Sequence, residues 1–361
     1  MNLTPEERSK LYGILQNKKP ELQNAHTNWK RSTNSDILLV DGTNTFIRCW
    51  SANPAMDDNG NHTGGIVGFL KSIGYAIKLL APTRCIVVFD GIGGSFKRRK
   101  LFPQYKEKRK GKLRLNRTYE DMSEITSEEE SCRRQYIRLL HYLQTLPVNM
   151  VSVDHVEADD VIAFLATEYF KNSRKVFIMS SDKDFLQLCT GNISVYSPTK
   201  KRIYGPAEVL EDYQIHPNNF VLYRALDGDD SDNVNGIEGA GPKTIVKHFP
   251  WLNEETTHSI DEIVNHAVNL RNKYKVCENI AEGRVIIERN VELMQLKDTA
   301  LTTAGQLYCY ERMDTKNIPK LDRNAFYKLV REDMMDSNLP NHVTWVNDVF
   351  DPLDRVTRTE S

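Results

Sequence analysis

The chain has 361 residues, 40% hydrophobic and 27% charged, with a formal net charge of −1, the profile of an ordinary soluble globular protein with room for two domains. No run approaches the roughly 18 apolar residues of a membrane span, and the polar opening MNLTPEERSKLYGILQNKKPELQ lacks a signal-peptide core, so a cytoplasmic protein with no membrane partner is expected. The cysteines Cys49, Cys85, Cys132, Cys189, Cys277 and Cys309 form no CxxC pair; they predict reduced thiols, not a zinc site or a disulfide frame.

Residues 1–35 show no strong period and are expected to form an N-terminal extension. Apolar runs of strand length follow at Ile37–Val40, Cys85–Phe89, Val148–Val153 and Val176–Met179, and their near-continuous Val, Ile and Leu content predicts strands buried on both faces. Between the first two, GGIVGFLKSIGYAIKLL places Ile66, Leu70, Ile73, Ile77 and Leu80 at helical spacing. Glu129–Leu146 and Val156–Phe170 read as further helices. Alternating strands and helices predict an α/β fold with a central, mostly parallel sheet and helices on both faces. From about Pro206 the chain reads as helices and turns: Asn218–Leu226, Pro242–Phe249 and residues 270–297, with the last 60 residues mixed. The predicted division is residues 1–35, a core over 36–205, a helical region over 206–300 and an extension over 301–361.

Charge is unevenly distributed along this frame. Lys97 to Arg117 holds eleven Lys and Arg against one Glu, and residues 118–130 hold six acids and no base. Such a block is either a solvated loop or the footprint of a polyanion partner. Arg98 and Arg99 lie in it, and Tyr105 stands beside Lys106 and Arg109: a tyrosine is usually buried, but in an exposed basic segment it can instead stack on an unpaired base.

Acidic residues fall into five short clusters: Asp41, Asp90, then Glu157, Asp159 and Asp160, then Asp182 and Asp184, then Asp227, Asp229, Asp230 and Asp232. Singly, each suits a turn or a helix N-terminus. Together, most of them lie where strands end or helices begin, the edge at which α/β sheets place their ligands. Like charges gathered there need cations, and hard oxygen donors without Cys or His partners favour Mg²⁺ or Mn²⁺. The predicted chemistry is divalent-metal phosphoryl transfer. The stretch GIEGAGPKT then combines turn glycines, including Gly239 and Gly241, with Pro242 at a helix start and Lys243 and Thr244 behind it. This is the sequence form of a helix–hairpin–helix that grips a nucleic-acid backbone without reading bases.

In chain order, DILLVDGTN, VFDG, FPQYKEKR, VEADD, SSDKDF and GDDSDNVNGIEGAGPKT resemble the motifs of the 5′ nuclease, or flap endonuclease, superfamily, over about Asp36 to Trp251. The likeness is greatest to free-standing bacteriophage enzymes such as the T-even phage ribonuclease H. The resemblance implies a PIN-like nuclease core, a helical arch at about 97–130 and a helix–three-turn–helix. It implies a 5′→3′ exonuclease and flap endonuclease that removes RNA primers or flaps during DNA replication, in the host cytoplasm if phage-encoded. The first metal site would take Asp41, Asp90, Glu157 and Asp159, with Asp160 nearby; the second would take Asp182, Asp184, Asp229 and Asp232. Two Mg²⁺ ions, replaceable by Mn²⁺, would activate the attacking water and bind the phosphate. Lys106 and Arg109 would act on the scissile phosphate, with Tyr105 against the terminal base. The glycine hairpin would bind duplex and, as in relatives, K⁺. Implied partners are duplex DNA, flap DNA and RNA–DNA hybrid, with a single-strand-binding protein or sliding clamp, and a monomeric enzyme. The rival readings are a silent structure-specific binding protein and a 3′→5′ exonuclease, the second of which leaves the basic arch and hairpin unexplained.

Overall fold

The computed structural model describes residues 35–107, 125–299 and 301–359. The predicted N-terminal extension and the middle of the predicted arch, Arg109 included, lie outside the described residues, apart from Ser35.

All four predicted strands form: β1 (Asp36–Asp41), β2 (Arg84–Asp90), β3 (Asn149–Val153) and β4 (Lys175–Met179). Two more, β5 (Ile193–Ser197) and β6 (Arg202–Tyr204), complete a six-stranded sheet in the order β3-β2-β1-β4-β5-β6. Every pairing is parallel except β5 with β6. The order reverses between β1 and β4, which makes their carboxyl ends the switch point of the sheet.

The pleat divides the strands between two cores. Ile37, Leu39, Ile86, Val88, Val176 and Ile178 enter one, while Leu38, Val40, Val87, Phe89, Phe177 and Met179 enter the other. Helices α1 (Gly42–Ala52), α2 (Gly64–Leu80) and α4 (Ile125–Gln144) cover the second core. The short α3 (Phe96–Leu101) follows β2, and α5 (Ala158–Phe164) follows β3 on the first core, ending in a π-turn over Leu165–Tyr169. The predicted Val156–Phe170 helix is thus one path with a widened last turn.

The first core continues into α6 (Pro206–Tyr213), α7 (Phe220–Asp227), α8 (Pro242–His248) and α9 (Ile260–Leu270). The predicted helix over 270–297 is two helices, α10 (Lys275–Glu282) and α11 (Arg284–Met294), parted at Gly283, where a Cβ would lie 2.4 Å from Ile237 Cδ1. The mixed C-terminal stretch resolves into α12 (Thr303–Arg312), α13 (Arg323–Glu332) and α14 (His342–Thr359). Helix α12 caps edge strand β3: Arg312 donates to the Met150 carbonyl at 3.2 Å, and Arg84 donates to the Met313 carbonyl at 2.7 Å. Phe326, Val330, Val346 and Phe350 of α13 and α14 are buried in the second core, each such side chain contributing about 1.5–3 kcal/mol. Among the described residues no helix is long and apolar enough to cross a membrane. All six cysteines are buried free thiols.

Candidate active site

Strand geometry brings the acids together. Asp41 and Asp90 are the last residues of β1 and β2; Glu157 follows β3, and Asp182 follows β4. Because these four strands are neighbours and parallel, their carboxyl ends form one edge. Gly91 lets the chain leave β2 against β3, since a Cβ there would lie 1.7 Å from the Val153 carbonyl oxygen.

The edge is locked by short bonds. The Thr43 hydroxyl accepts the Asp90 N–H at 3.1 Å, and Asp90 Oδ1 accepts the Ala158 N–H at 2.8 Å. Asp41 caps α1 through the Asn44 N–H at 3.1 Å and accepts the Ser180 hydroxyl at 2.9 Å. Asp182 accepts the Asp184 N–H at 2.9 Å, the capping role its sequence position suggested. Burial and then the Asp90 carboxylate push the Asp41 carboxyl up to about 6. Burial and then Asp184 push Asp182 up to about 7. Burial is the larger cause at both groups, and the neighbouring carboxylate adds to it.

Three basic side chains stand among the acids. Arg98 is buried: its guanidinium ion-pairs with Glu157, with Asp159 at 3.1 Å and with Asp160 at 2.9 Å, and Nε donates to the Leu293 carbonyl at 2.8 Å. Lys106 Nζ meets Glu157 Oε1 at 2.5 Å, as does the Ser95 hydroxyl. Burial alone would raise the Glu157 carboxyl, but Lys106 and Arg98 outweigh it and hold the group at about 2. Arg224 on α7 serves the other end: Nε lies 2.6 Å from Asp184 Oδ1 and NH2 2.6 Å from Asp229 Oδ2. Asp229 Oδ1 accepts from the Ser231 N–H at 2.8 Å, and Asp232 Oδ2 accepts the Tyr105 hydroxyl at 3.1 Å.

Two expectations are corrected here. Tyr105 is not a surface platform. The residue is 4% exposed, within a small cluster with Val234, Leu293 and Met294, and its one hydroxyl proton lies between Glu157 (3.2 Å) and Asp232 (3.1 Å), within hydrogen-bond distance of both. The tyrosine therefore tethers the two acidic groups to each other. Arg98 likewise faces the acids and not a ligand backbone, because three carboxylates outweigh the cost of burying it. Arg99 is exposed.

The predicted hairpin takes the shape its glycines allow. Gly239 has φ +83°, Gly241 caps α8 with no atom within 4 Å of where its Cβ would lie, and Lys243 is exposed with Thr244 half-buried beside it. Sequence reasoning missed Ser95, Ser180, Thr43 and Arg224. The only local signal was their adjacency to the acid motifs, with Arg224 three residues before Asp227.

Among the described residues no three Asp, Glu, His or Cys side chains already converge as a ready set of metal ligands; Arg98, Lys106 and Arg224 stand between them instead. The donors nonetheless fit divalent cations. They are all carboxylate oxygens, and Asp90 acting on Asp41 and Asp184 acting on Asp182 set like charges together that a hard ion would offset.

Residues 36–214 match the model of the 5′-3′ exonuclease N-terminal resolvase-like domain. A 5′-3′ exonuclease of Aquifex aeolicus is 28% identical over 267 residues, covering 74% of this chain and 79% of that protein. One of Buchnera aphidicola subsp. Schizaphis graminum is 31% identical over 251 residues, covering 66% and 82%. DNA polymerase I of Bacillus subtilis is 32% identical over 235 residues, a match that takes in 63% of this chain and only 25% of that protein. A solved 5′-exonuclease of bacteriophage T5 with zinc bound shares the fold, with a TM-score of 0.57 at 23% identity over 83% of this chain and 98% of that one. A T5 flap endonuclease in complex with DNA and metal ions gives the same TM-score of 0.57 at 22% identity. The chain belongs to the 5′-3′ exonuclease family of the 5′ nuclease superfamily, hydrolases of the phosphodiester bond.

Proposed function

We propose that this protein is a divalent-metal-dependent 5′→3′ exonuclease and flap endonuclease, acting at 5′ ends of duplex DNA or RNA–DNA hybrid and removing primers or flaps in DNA replication. The observation that carries the reading is the row of carboxylates across the ends of β3, β2, β1 and β4, joined to basic residues at the foot of the arch. Asp41, Asp90, Glu157 and Asp159, with Asp160 behind them, would hold one ion, and Asp182, Asp184, Asp229 and Asp232 a second, with Mg²⁺ the proposed metal. When bound, such ions activate water and offset phosphate charge.

The chain's own residues then have separable tasks. Ser180 and the Ala158 N–H fix Asp41 and Asp90, so the ligand oxygens are oriented before any ion arrives. Lys106 already lies at the acidic edge on Glu157, and there it can meet a phosphate oxygen, with Arg109 as the second basic group. Lys243 and the Gly239–Gly241 turn hold the duplex backbone, and the same turn is the proposed K⁺ site. The core over 36–205 carries the chemistry, the helical region over 206–300 the duplex, and the extension over 301–361 braces the sheet edge.

The test is an end-labelled duplex with a 5′ flap, incubated with Mg²⁺ or with EDTA. Metal-dependent release of short products from the 5′ label supports the reading. Release from the 3′ label only, or no cleavage of any 5′ end, overturns it.

A further inference from the structure

Helix α3 has its polarity reversed. A short helix beside a core normally turns its apolar side inward, yet here Arg98 is 8% exposed while Phe96 is 63% exposed and Leu101 is 39% exposed. Among the described residues no aromatic side chain is more exposed than Phe96. Local rules broken in this way mark functional positions more often than packing positions, and leaving a phenyl in water forgoes the burial free energy it would have in a core.

The position is also held firmly. The Phe96 N–H donates to the Gly93 carbonyl at 2.9 Å, with Gly93 at φ +71°, and the preceding Ser95 bonds Glu157 at 2.5 Å. One side of the ring meets His155 at 5.9 Å between centroids and 60° between planes. His155 is itself fixed by its N–H to the Ile92 carbonyl at 2.9 Å. Lys97, Arg99 and Lys100, its neighbours on the same short helix, are all exposed and make this a positively charged surface. An open aromatic face among cations is the composition of a single-strand nucleic-acid site: the ring stacks a base and the cations hold its phosphates.

We propose that Phe96, backed by His155, is a stacking site for an unpaired nucleobase of the 5′ strand as it passes the acidic edge. The inference rests on the 5′ nuclease reading and names where that strand's single-stranded part goes. The Phe96–His155 pair follows β2 and β3, at one end of the acid row. Asp182 and Asp184 follow β4, on the other side of β1, with Arg224 bonded to Asp184. A strand that crosses the carboxylates from that side meets Phe96 at the far end of the row. Buried Tyr105 cannot serve in this role, and the exposed ring takes it over.

The experiment compares binding of three duplexes, one with a short 5′ thymidine arm, one with an abasic 5′ arm of equal length and one blunt, with Ca²⁺ in place of Mg²⁺ to limit cleavage. Wild type is expected to bind the thymidine arm about 5- to 150-fold more tightly than the abasic arm. Phe96→Ala and Phe96→Leu should lose most of that ratio with blunt-duplex affinity unchanged, and Phe96→Trp should keep or increase it. Phe96→Leu keeps an apolar side chain, so its loss separates stacking from simple burial, and unchanged thermal unfolding of each variant verifies folding. A thymidine-to-abasic ratio equal to wild type in both Phe96→Ala and Phe96→Leu overturns the inference. So does a protein partner, and not an oligonucleotide, that protects Phe96 from hydroxyl-radical footprinting. If wild type cleaves 5′ ends but the variants keep the ratio, the stacking site alone fails; if wild type cleaves no 5′ end, the nuclease reading fails first.

Discussion

Replacing Arg224 by Met separates two effects that a buried cation has in an acidic site. The Arg224 side chain is 4% exposed and joins Asp184 and Asp229, each at 2.6 Å, and the Gly228 carbonyl at 2.9 Å. Burial disfavours its charge, but Asp184 and then Asp229 outweigh that and hold the guanidinium protonated. Removing one partner of a buried pair costs about 3–5 kcal/mol, because the remaining charge is stranded. The Asp184 and Asp229 side chains are 18% and 20% exposed, so water reaches them in part and the lower end, about 3 kcal/mol, is expected. Arg224→Lys should lose about 1–2 kcal/mol, since an ammonium cannot span both carboxylates. A divalent ion should then offset much of the loss, because the variant site carries one more negative charge. At one hundred times its Kd, a ligand stabilises by about 2.7 kcal/mol. The assay is urea unfolding in EDTA and in saturating Mg²⁺, with Arg202→Met as the control for a surface ion pair, where about 0–1 kcal/mol is expected. Stabilisation by Mg²⁺ should be larger in Arg224→Met than in wild type. A loss in EDTA below about 1 kcal/mol, or equal Mg²⁺ stabilisation in both proteins, would refute the clamp.

Asp90→Asn and Asp159→Asn should each abolish cleavage of 5′-labelled duplex while leaving duplex affinity within a few-fold, because binding comes from cations elsewhere; wild-type-like turnover by either would remove it from the metal assignment. Lys106→Ala should lower the single-turnover rate by about 100-fold or more, with a smaller loss of affinity, as expected where charge develops in the transition state; a change in affinity alone makes it only an anchor. The contribution of Asp41 and Asp182 to stability without metal should fall as pH rises from about 4 to about 7. The folded-state groups of Asp41 (about 6) and Asp182 (about 7) lie above their ordinary value of 3.8, so in this window the folded chain holds more protons there than the unfolded one. Glu157, held at about 2, acts oppositely and only below its ordinary range, where its contribution is lost as pH falls. Burial lowers the His62, His141, His216 and His248 imidazoles, which works the other way in this window, so thermal unfolding in EDTA compares wild type with Asp182→Asn: wild type should lose more stability than the variant as pH rises, and equal slopes contradict the sign.

The sheet and its acidic edge were legible because both are local signals. A run such as VFIM reads as a buried strand wherever it occurs, and Asp41 or Asp90 closing such a run is visible within a few residues. What the sequence hid lies in contacts across long separations. Arg98 meets Glu157 across 59 positions, and Tyr105 meets Asp232 across 127. Nothing within the basic block distinguishes an inward side chain from an outward one, and a run of eleven bases reads as solvated throughout. The small strand β6 and the break at Gly283 were missed because three residues carry little period, and one glycine within a helical stretch is usually tolerated.

The acids explain how the block divides. A sheet edge that gathers carboxylates cannot fold with them unopposed: two such charges about 4 Å apart repel by about 4 kcal/mol at an effective dielectric near 20. Two bases of the block, Arg98 and Lys106, are therefore drawn inward to Glu157, and Arg224 performs the same service for Asp184 and Asp229. Helical geometry then fixes the neighbours. With Arg98 turned in, Lys97, Arg99, Lys100 and Phe96 are turned out, toward whatever approaches the edge. The requirement that folds the metal-free site thus also builds the basic, aromatic surface beside it, and the one exposed phenyl ring on α3 follows from the one buried guanidinium.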